Sequence, residues 1–408
     1  MKETTAGKAT VGRRRFLEGL LGSFAGLGAT LPSFPAAVAR DGGVSASRAG
    51  RAARPGDTDW ASFILGMPKA ELHVHVEGMV DPKLAFELAE RNGLELPFES
   101  PEQFEKSLHF TSLESFLAGF EQMLRVLRTA EDFRDAAMHY FERVAAQNIV
   151  YAELHFDTQP HLARGLALES VLEGIVDAQQ EALARFGIRS RLIMALQREA
   201  TLAEAGAAYA FALQHRDAIT GIGLDSFEVP GFPGKFAELY ARAADAGFRL
   251  TSHCDLEVED SRIHVRDCIE RLGVERIDHG YSVLEDDALS ALCRERGIGF
   301  TACPTTDWTL PATREDFYAA AVTRAIGAML DAGLEVSVHS DDPGLMGGRY
   351  VGDLLIDVQR DLDLSPAQVA TLAGNAFRSS WAPAEEQRAY LAQLGDYIAT
   401  HGVRVAQA

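Results

Sequence analysis

The run AELHVHV at residues 70–76 is the first of eight short segments rich in β-branched or apolar residues. The other seven are IVYAELHF (149–156), SRLIMAL (190–196), ITGIGL (219–224), FRLTSHC (248–254), RIDHG (276–280), IGFTACP (298–304) and EVSVHSD (335–341). Helix-period stretches such as 168–186 and 287–296 separate most of them, and this alternation is typical of a parallel sheet. Eight such units predict an α/β protein with a (β/α)₈ TIM barrel, and no GxGxxG fingerprint follows the first strand to favour a dinucleotide-binding sheet.

The segments outside this alternation predict additional helices. Residues 77–148, after the first strand, are too many for one helix and are expected to form several. Residues after 364 are expected to form two or three more at the C-terminus. We find no internal repeat and no second folded domain.

The first 39 residues have the pattern of an export signal. Three arginines, Arg13 to Arg15, precede the apolar stretch Leu20 to Leu31, and the small-residue site Ala37 to Ala39 follows. The arginine cluster resembles a twin-arginine signal, and the apolar stretch is too short to span a membrane. We therefore predict a cleaved signal peptide at 1–39, a flexible linker at 40–59, a barrel domain at 60–408, and a periplasmic or extracellular location without stable membrane insertion.

Charge narrows the range of partners. The chain of 408 residues carries 39 Lys and Arg against 59 Asp and Glu, a formal charge of −20. This excess of negative charge opposes binding to nucleic-acid phosphates and anionic lipid, so a small molecule is the expected partner. The oligomeric state does not follow from the sequence.

Titratable residues occur where the predicted strands end, which is the catalytic face of a TIM barrel. They are His73, His75, His253, His279, Asp341 and Asp342. Residues two apart on a strand share a face, so His73 and His75 are expected to bind one metal ion together. Imidazole nitrogens and a carboxylate suit Zn²⁺, which lowers the pKa of a bound water toward about 7.

The remaining histidines and the cysteines are less informative. His109, His139, His215, His264 and His401 lie in predicted helices or loops without a partner motif, and we interpret most of them as surface or hydrogen-bonded core residues. His339 lies two residues before Asp341, and the sequence leaves open whether it supports a metal ligand or has a purely structural role. Cys254 and Cys303, near the predicted mouth, are interpreted as packing residues.

Five motifs occur in a fixed order between residues 65 and 382. They are MPKAELHVHVEG (67–78), GIGLDSFE (221–228), RIDHGYSVLED (276–286), TACP (301–304) and SDDP (340–343). As a set they resemble the adenosine and adenine deaminase branch of the metal-dependent amidohydrolases. FELAERNGLELP (86–97) and AELHFDTQPHLARG (152–165) look more like the adenine deaminase subgroup than the animal adenosine deaminases.

The resemblance implies a (β/α)₈ barrel and one zinc ion held by His73, His75, His253 and Asp341. It also assigns roles to other residues. His279 would orient or deprotonate the attacking water, Asp342 would hydrogen-bond purine N7, and the backbone around Ser226 would meet the N3 side. Glu77 stands where the adenosine branch has an Asp that contacts ribose, and its longer side chain favours a free base over a nucleoside.

The general acid is the one motif position where this chain departs from the family. The resemblance implies a Glu three residues after the metal-binding histidine, but His253 is followed by Cys254, Asp255, Leu256 and Glu257. Attack on C6 requires a protonated group that delivers a proton to N1. We expect Glu257 to act as this acid across one extra loop residue, with Asp255 as the alternative.

The predicted activity is zinc-dependent hydrolytic deamination of a 6-aminopurine, either adenosine or adenine, with release of ammonia. Two alternatives remain open at this stage. One is deamination of another aminated heterocycle, and the other is a zinc-containing purine-binding protein that has lost catalysis with the displaced acid.

Overall fold

A computed structural model describes residues 59–108, 110, 113–254, 261–304 and 320–403. The predicted signal peptide and nearly all of the predicted linker lie outside these residues, as do His109, Asp255 and Glu257. No described helix is long and apolar enough to cross a membrane.

Eight parallel strands follow one another around the protein in chain order. They are β1 Lys69–His75, β2 Ile149–Asp157, β3 Arg189–Gln197, β4 Ile219–Asp225, β5 Arg249–Cys254, β6 Arg276–His279, β7 Gly299–Ala302 and β8 Glu335–Val338. Each strand pairs with the next in parallel register. The predicted (β/α)₈ barrel is confirmed, with strand boundaries within three residues of those expected.

The barrel is nearly closed between its first and last strands by the segment after β8. Asp341 forms a parallel bridge with Val74. Its N–H donates to the carbonyl of His73 at 3.0 Å, and its carbonyl accepts from the N–H of His75 at 2.9 Å. The closure therefore joins the backbones of three predicted metal ligands.

The helices surround the strands. They are α1 Trp60–Gly66, α2 Pro82–Arg91, α3 Pro101–Ser107, α4 Leu113–Val126, α5 Ala130–Ala145, α6 Gln159–Ala163, α7 Leu168–Phe186, α8 Leu202–Gln214, α9 Phe232–Asp245, α10 Ser261–Asp267, α11 Asp287–Arg296, α12 Ala320–Asp331, α13 Val351–Leu362, α14 Pro366–Arg378 and α15 Ala384–Thr400. A π-helical turn, Cys268–Leu272, continues α10, and short 3₁₀ turns cover Glu77–Met79 and Tyr281–Glu285. Helices α7 and α11 have the predicted boundaries, α2 to α5 occupy 77–148, and α14 and α15 follow residue 364.

Local sequence explains where several helices begin and end. Thr129, Thr201 and Ser365 each accept a hydrogen bond from the backbone N–H three residues later, and the side chain of that residue bonds back to the cap. These reciprocal caps satisfy N–H groups that have no partner within a helix. Helix α7 ends at Gly187, whose φ of 72° suits a residue without a Cβ.

The amino-terminal end of the barrel is closed by a buried ion pair and an indole. Arg276 Nη1 donates to Glu153 Oε2 at 2.6 Å, and its guanidinium lies 4.2 Å from the centre of the Trp381 ring. A Cβ on Gly221, near the start of β4, would collide with that ring. We call Glu153, Arg276 and Trp381 the barrel floor.

Candidate metal centre and active site

The four predicted metal ligands converge at the carboxyl end of the barrel. Nε2 of His75 lies 3.2 Å from Nε2 of His253. Oδ1 of Asp341 lies 3.3 Å from Nε2 of His73 and 3.6 Å from Nε2 of His75. Three imidazole nitrogens and one carboxylate oxygen therefore surround one point.

The chemistry of these groups fits a divalent metal ion. Among the described residues, His73 Nε2 is fully buried and has no hydrogen-bond partner, which is costly unless a ligand fills the gap. Burial lowers the pKa of His75 to about 4, and burial also holds the pKa of His253 well below its usual value, so both rings are neutral near pH 7. Burial opposes ionisation of Asp341, but neighbouring His73 holds the pKa of that carboxyl well below its usual range. These states of His75, His253 and Asp341 are the ones that bind metal.

Asp278 orients two of these imidazoles, although we assigned it no role from the sequence. It accepts hydrogen bonds from Thr251 Oγ1 at 2.8 Å and Thr301 Oγ1 at 2.7 Å, and its Oδ2 lies 3.4 Å from His253 Nδ1. Because Thr301 gives its only proton to Asp278, it accepts from His73 Nδ1–H at 3.0 Å. Nε2 of His73 is then left as the metal-binding nitrogen.

His279 lies on the open side of this cluster. Its Nε2 is 3.8 Å from Asp341 Oδ2, and its Nδ1 is 3.4 Å from the Tyr281 hydroxyl. Burial lowers the pKa of His279 to about 4, so the neutral ring can accept a proton. The position suits the role that the resemblance implies, namely to orient or deprotonate an attacking water.

Backbone strain is concentrated at the mouth. Ser226, His279 and Asp341, which end or follow β4, β6 and β8, have φ values of 65°, 66° and 60°. Residues with a Cβ adopt this left-handed conformation at a cost, which persists where surrounding contacts impose it. Three predicted site residues therefore have a strained backbone conformation.

Arg198 supplies such contacts, and sequence reasoning missed it. Its side chain is fully buried, Nε donates to the Asp225 carbonyl at 3.1 Å, and Nη1 donates to the His253 carbonyl at 2.9 Å. Nη2 donates to the carbonyl of Ser226. One guanidinium thus joins the ends of β4 and β5. No short motif distinguishes this arginine from others in the chain.

The three predicted substrate-binding residues lie around the same mouth. Asp342 is buried, and its Oδ1 has no hydrogen-bond partner among the described residues. Gly78 makes room for it, because a Cβ there would collide with the Asp342 carboxylate. Ser226 Oγ donates to Glu199 at 2.7 Å, and Glu77 is fully buried and accepts from His161 Nε2 at 2.6 Å.

His155 is a further imidazole that the sequence analysis did not single out. It is fully buried, and its ring centre lies 5.4 Å from that of His73 and 5.0 Å from that of His75. Neither of its nitrogens has a hydrogen-bond partner among the described residues. The sequence could have identified it by its position near the end of the second predicted strand.

His339 requires a correction. The eighth predicted strand, 335–341, includes both His339 and Asp341, but β8 ends at Val338. Its Nδ1 lies 2.9 Å from Glu71 Oε1, and its Nε2 lies 2.7 Å from Ser337 Oγ. It therefore links the segment after β8 to β1 and does not contact a ligand side chain through a hydrogen bond.

Most of the other histidines and the cysteines are placed as structural residues. His264 is buried against Glu228 at 2.6 Å, His139 lies 2.8 Å from Asp81, His215 is half-buried and His401 is exposed. All four cysteines are buried. Cys303 Sγ lies 3.5 Å from His73 Nδ1, so it packs directly against a predicted ligand.

Comparison with known proteins identifies the family. The family model described as adenosine deaminase matches residues 68–397. The chain belongs to the adenosine deaminase family. The resemblance deduced from the motifs is confirmed, and the protein is a hydrolytic deaminase of this metal-dependent family.

Individual relatives agree with this assignment. The chain is 41% identical to an adenine deaminase of Rhodospirillum rubrum over 321 residues, 79% of this chain and 94% of the relative. It is similar to the crystal structure of an adenine deaminase from Arthrobacter aurescens, with a TM-score of 0.75, 36% identity and coverage of 82% and 99%. A Burkholderia ambifaria amidohydrolase structure with bound Zn has a TM-score of 0.75, 26% identity and coverage of 86% and 98%.

Proposed function

We propose that the protein hydrolyses the exocyclic amine of a 6-aminopurine, with adenine as the preferred substrate, and that its metal is zinc. The observation that carries this proposal is the convergence of His73, His75, His253 and Asp341 at one point beside His279 and Asp342. Adenine deaminase relatives and the zinc-containing amidohydrolase structure support the choices of substrate and metal.

When bound, zinc would supply Lewis-acid chemistry and lower the pKa of water to about 7. His279, neutral and buried, orients the attacking water and accepts its proton. Asp342 Oδ1, which has no partner in the described part of the chain, hydrogen-bonds a nitrogen of the imidazole ring and so sets the orientation of the purine. These side chains at the mouth are buried, which strengthens each of these polar contacts.

The general acid remains a prediction from the sequence, because Asp255 and Glu257 lie outside the described residues. Proton delivery to N1 contributes typically 10²- to 10⁴-fold to the rate. We expect Glu257→Gln to lower kcat by at least about 100-fold with zinc retained, and Asp255→Asn to lower it less. The opposite ranking would assign the role to Asp255, and small equal losses would exclude both residues.

Ammonia release tests the proposed activity directly. Purified, zinc-loaded protein is incubated with adenine, adenosine, other aminopurines and cytosine, with His73→Ala as the matched inactive control. Release from adenine above the control supports the proposal. Release only from another heterocycle would overturn the substrate, and purine binding without any release would favour the non-catalytic alternative.

We also propose export through a twin-arginine pathway to a periplasmic or extracellular location. The support is the order of Arg13–Arg15, the apolar stretch and the small-residue site. Replacing Arg13 and Arg14 by Lys keeps the charge and should leave the protein in the cytoplasm. Normal export of that variant, measured by fractionation, would contradict the proposal.

A further inference from the structure

Two cysteine thiols lie side by side at the end of β5. Cys254 Sγ is 3.7 Å from Cys268 Sγ, although the two residues are 14 positions apart along the chain. Cys254 is the last residue of β5, and Cys268 is the first residue of the π-helical turn that continues α10. A disulfide has an S–S distance of about 2.05 Å, so the sulfurs need to approach each other by roughly 1.7 Å. Small rotations of the two side chains can supply a movement of this size.

The pair lies on the face of β5 that is opposite to the metal centre. His253 directs its ring inward, where its Nε2 lies 3.2 Å from His75 Nε2. Successive residues of a strand point to opposite faces, so the neighbouring Cys254 points outward to the surrounding helices. Both Cys254 and Cys268 are fully buried. A covalent bond between them would therefore join β5 to the helical segment after it without replacing a metal ligand.

The other two cysteines lie apart from this pair. Cys303 Sγ is 3.5 Å from His73 Nδ1 and 3.9 Å from the Thr301 carbonyl. Cys293 is buried in α11, and burial raises the pKa of its thiol to about 11. Among the described residues, Cys254 and Cys268 are therefore the cysteines whose sulfur atoms are in contact with each other.

The backbone around Cys268 indicates how an oxidant reaches the buried pair. Helix α10, Ser261–Asp267, has only seven residues, and Cys268–Leu272 form the π-helical turn. The Cys268 carbonyl accepts from the N–H of Val274 at 3.2 Å, beyond the end of that turn. Short irregular segments of this kind open locally at a smaller free-energy cost than global unfolding. We therefore expect Cys268 to react before Cys254, which belongs to a barrel strand.

We propose that Cys254 and Cys268 are a site of oxidative modification and form a disulfide, with a small organic disulfide such as oxidised glutathione as the oxidant. The Cys268 sulfur attacks the oxidant, forms a mixed disulfide and releases one molecule of glutathione. The Cys254 sulfur then attacks Cys268 Sγ, forms the intramolecular S–S bond and releases the second glutathione. The two cysteines lose two electrons and two protons, and the oxidant is reduced to two thiols. The oxidising location proposed above would favour the disulfide.

The crosslink is expected to stabilise the protein and to leave the metal centre intact. It joins residues 14 positions apart, and closing a loop of that length in the unfolded chain raises the equilibrium constant for folding by about 100-fold. Because the His253 ring points to the opposite face of β5, the oxidised protein should keep its full zinc content.

Thiol counting by alkylation and mass spectrometry tests the disulfide. The zinc-loaded protein is either reduced or incubated with oxidised glutathione, then denatured in iodoacetamide and digested. We expect all four cysteines to be alkylated in the reduced protein, and Cys254 and Cys268 to be joined in one crosslinked peptide pair after oxidation. Cys254→Ser should retain glutathione on Cys268, because the second step lacks its attacking sulfur. Cys293→Ser is the matched control that should still form the crosslink.

Urea denaturation gives a second readout. The folding equilibrium constant of the oxidised protein should exceed that of the reduced protein by about 100-fold, both in the natural chain and in Cys293→Ser, whereas Cys268→Ser should show no such difference. Four alkylated cysteines after oxidation, or a crosslink to Cys293 or Cys303, would overturn the proposal. Loss of zinc on crosslinking would contradict its placement away from the metal centre. If Cys254→Ser fails to fold, Cys268→Ser still tests whether the crosslink requires this pair.

Discussion

Two fully buried glutamates, Glu153 in the barrel floor and Glu77 at the mouth, are satisfied in different ways. Glu153 Oε1 accepts from the Tyr151 hydroxyl and the backbone N–H of Trp381, and Oε2 accepts from Arg276. Among the residues that the structure describes, Glu77 has both of its donors on Oε1 and none on Oε2. In the floor, donors of the protein bond both carboxylate oxygens of Glu153. At the mouth, Oε2 of Glu77 is available to accept from a ligand.

The difference concerns acceptor oxygens, because buried donors without a partner among the described residues occur in the floor too, at Arg276 Nε and Nη2 and at Trp381 Nε1. Within the described part of the chain, the mouth contains buried atoms without a hydrogen-bond partner, such as His73 Nε2 and Asp342 Oδ1, and the strained residue His279. In the floor, the Arg276 guanidinium lies over the Trp381 ring and pairs with Glu153. We infer that the floor mainly stabilises the fold. The mouth is less stable because its residues provide groups for binding and chemistry.

The largest expected effect is at the metal ligands. His75→Ala should lower bound zinc well below one equivalent and reduce kcat/KM by about 10⁴-fold, because both the metal and its Lewis-acid chemistry are lost. Elemental analysis and ammonia release measure the two effects. Asp342→Asn, the control at the same mouth, should retain zinc but lose turnover. Full zinc occupancy in His75→Ala would refute the ligand assignment.

A substitution in the barrel floor should mainly lower the stability of the protein. Glu153→Gln removes the carboxylate that hydrogen-bonds the buried Arg276 and leaves Asp278, at 3.7 Å, as the nearest negative charge. We expect the free energy of unfolding to fall by about 3 kcal/mol. Urea denaturation measures this loss, and zinc content of the folded variant should remain unchanged. A loss below about 1 kcal/mol would mean that the floor is not the stability element described above.

An intermediate effect is expected for Arg198, which bonds the carbonyl of ligand His253. Arg198→Lys keeps one positive charge but cannot bond three carbonyls in a planar arrangement. We expect zinc affinity to fall about 10- to 100-fold while stoichiometry at saturating zinc stays at one. Competition with a chromophoric chelator gives the affinity. An unchanged zinc affinity would show that Arg198 contributes only to packing.

The smallest expected effect is the stability change from Glu77→Gln, the counterpart of Glu153→Gln. Oε2 of Glu77 has no partner among the described residues, so the free energy of unfolding should change by less than about 1 kcal/mol. The same urea titration compares the two variants. A loss as large as that of Glu153→Gln would show that Glu77 serves stability as much as binding.

Much of the fold and part of the site could be predicted from the sequence. Alternating strand and helix patterns predicted eight strands, and the spacing of His73 and His75 placed both side chains on one face of β1. Such inferences depend on periodicity within one segment. The boundary of β8 was wrong because the end of a strand depends on which neighbour bonds its backbone, and Asp341 bonds β1.

The sequence by itself determined the barrel class, the candidate ligands and the resemblance to a deaminase family. Only the tertiary structure showed that Asp278 orients His73 and His253 and that Arg198 joins β4 to β5. It also showed that His161 bonds Oε1 of Glu77, while no described residue bonds Oε2. Those contacts join residues that are tens to hundreds of positions apart. No local pattern encodes them, because the number of donors that reach a buried oxygen is decided by which strands and loops meet around it.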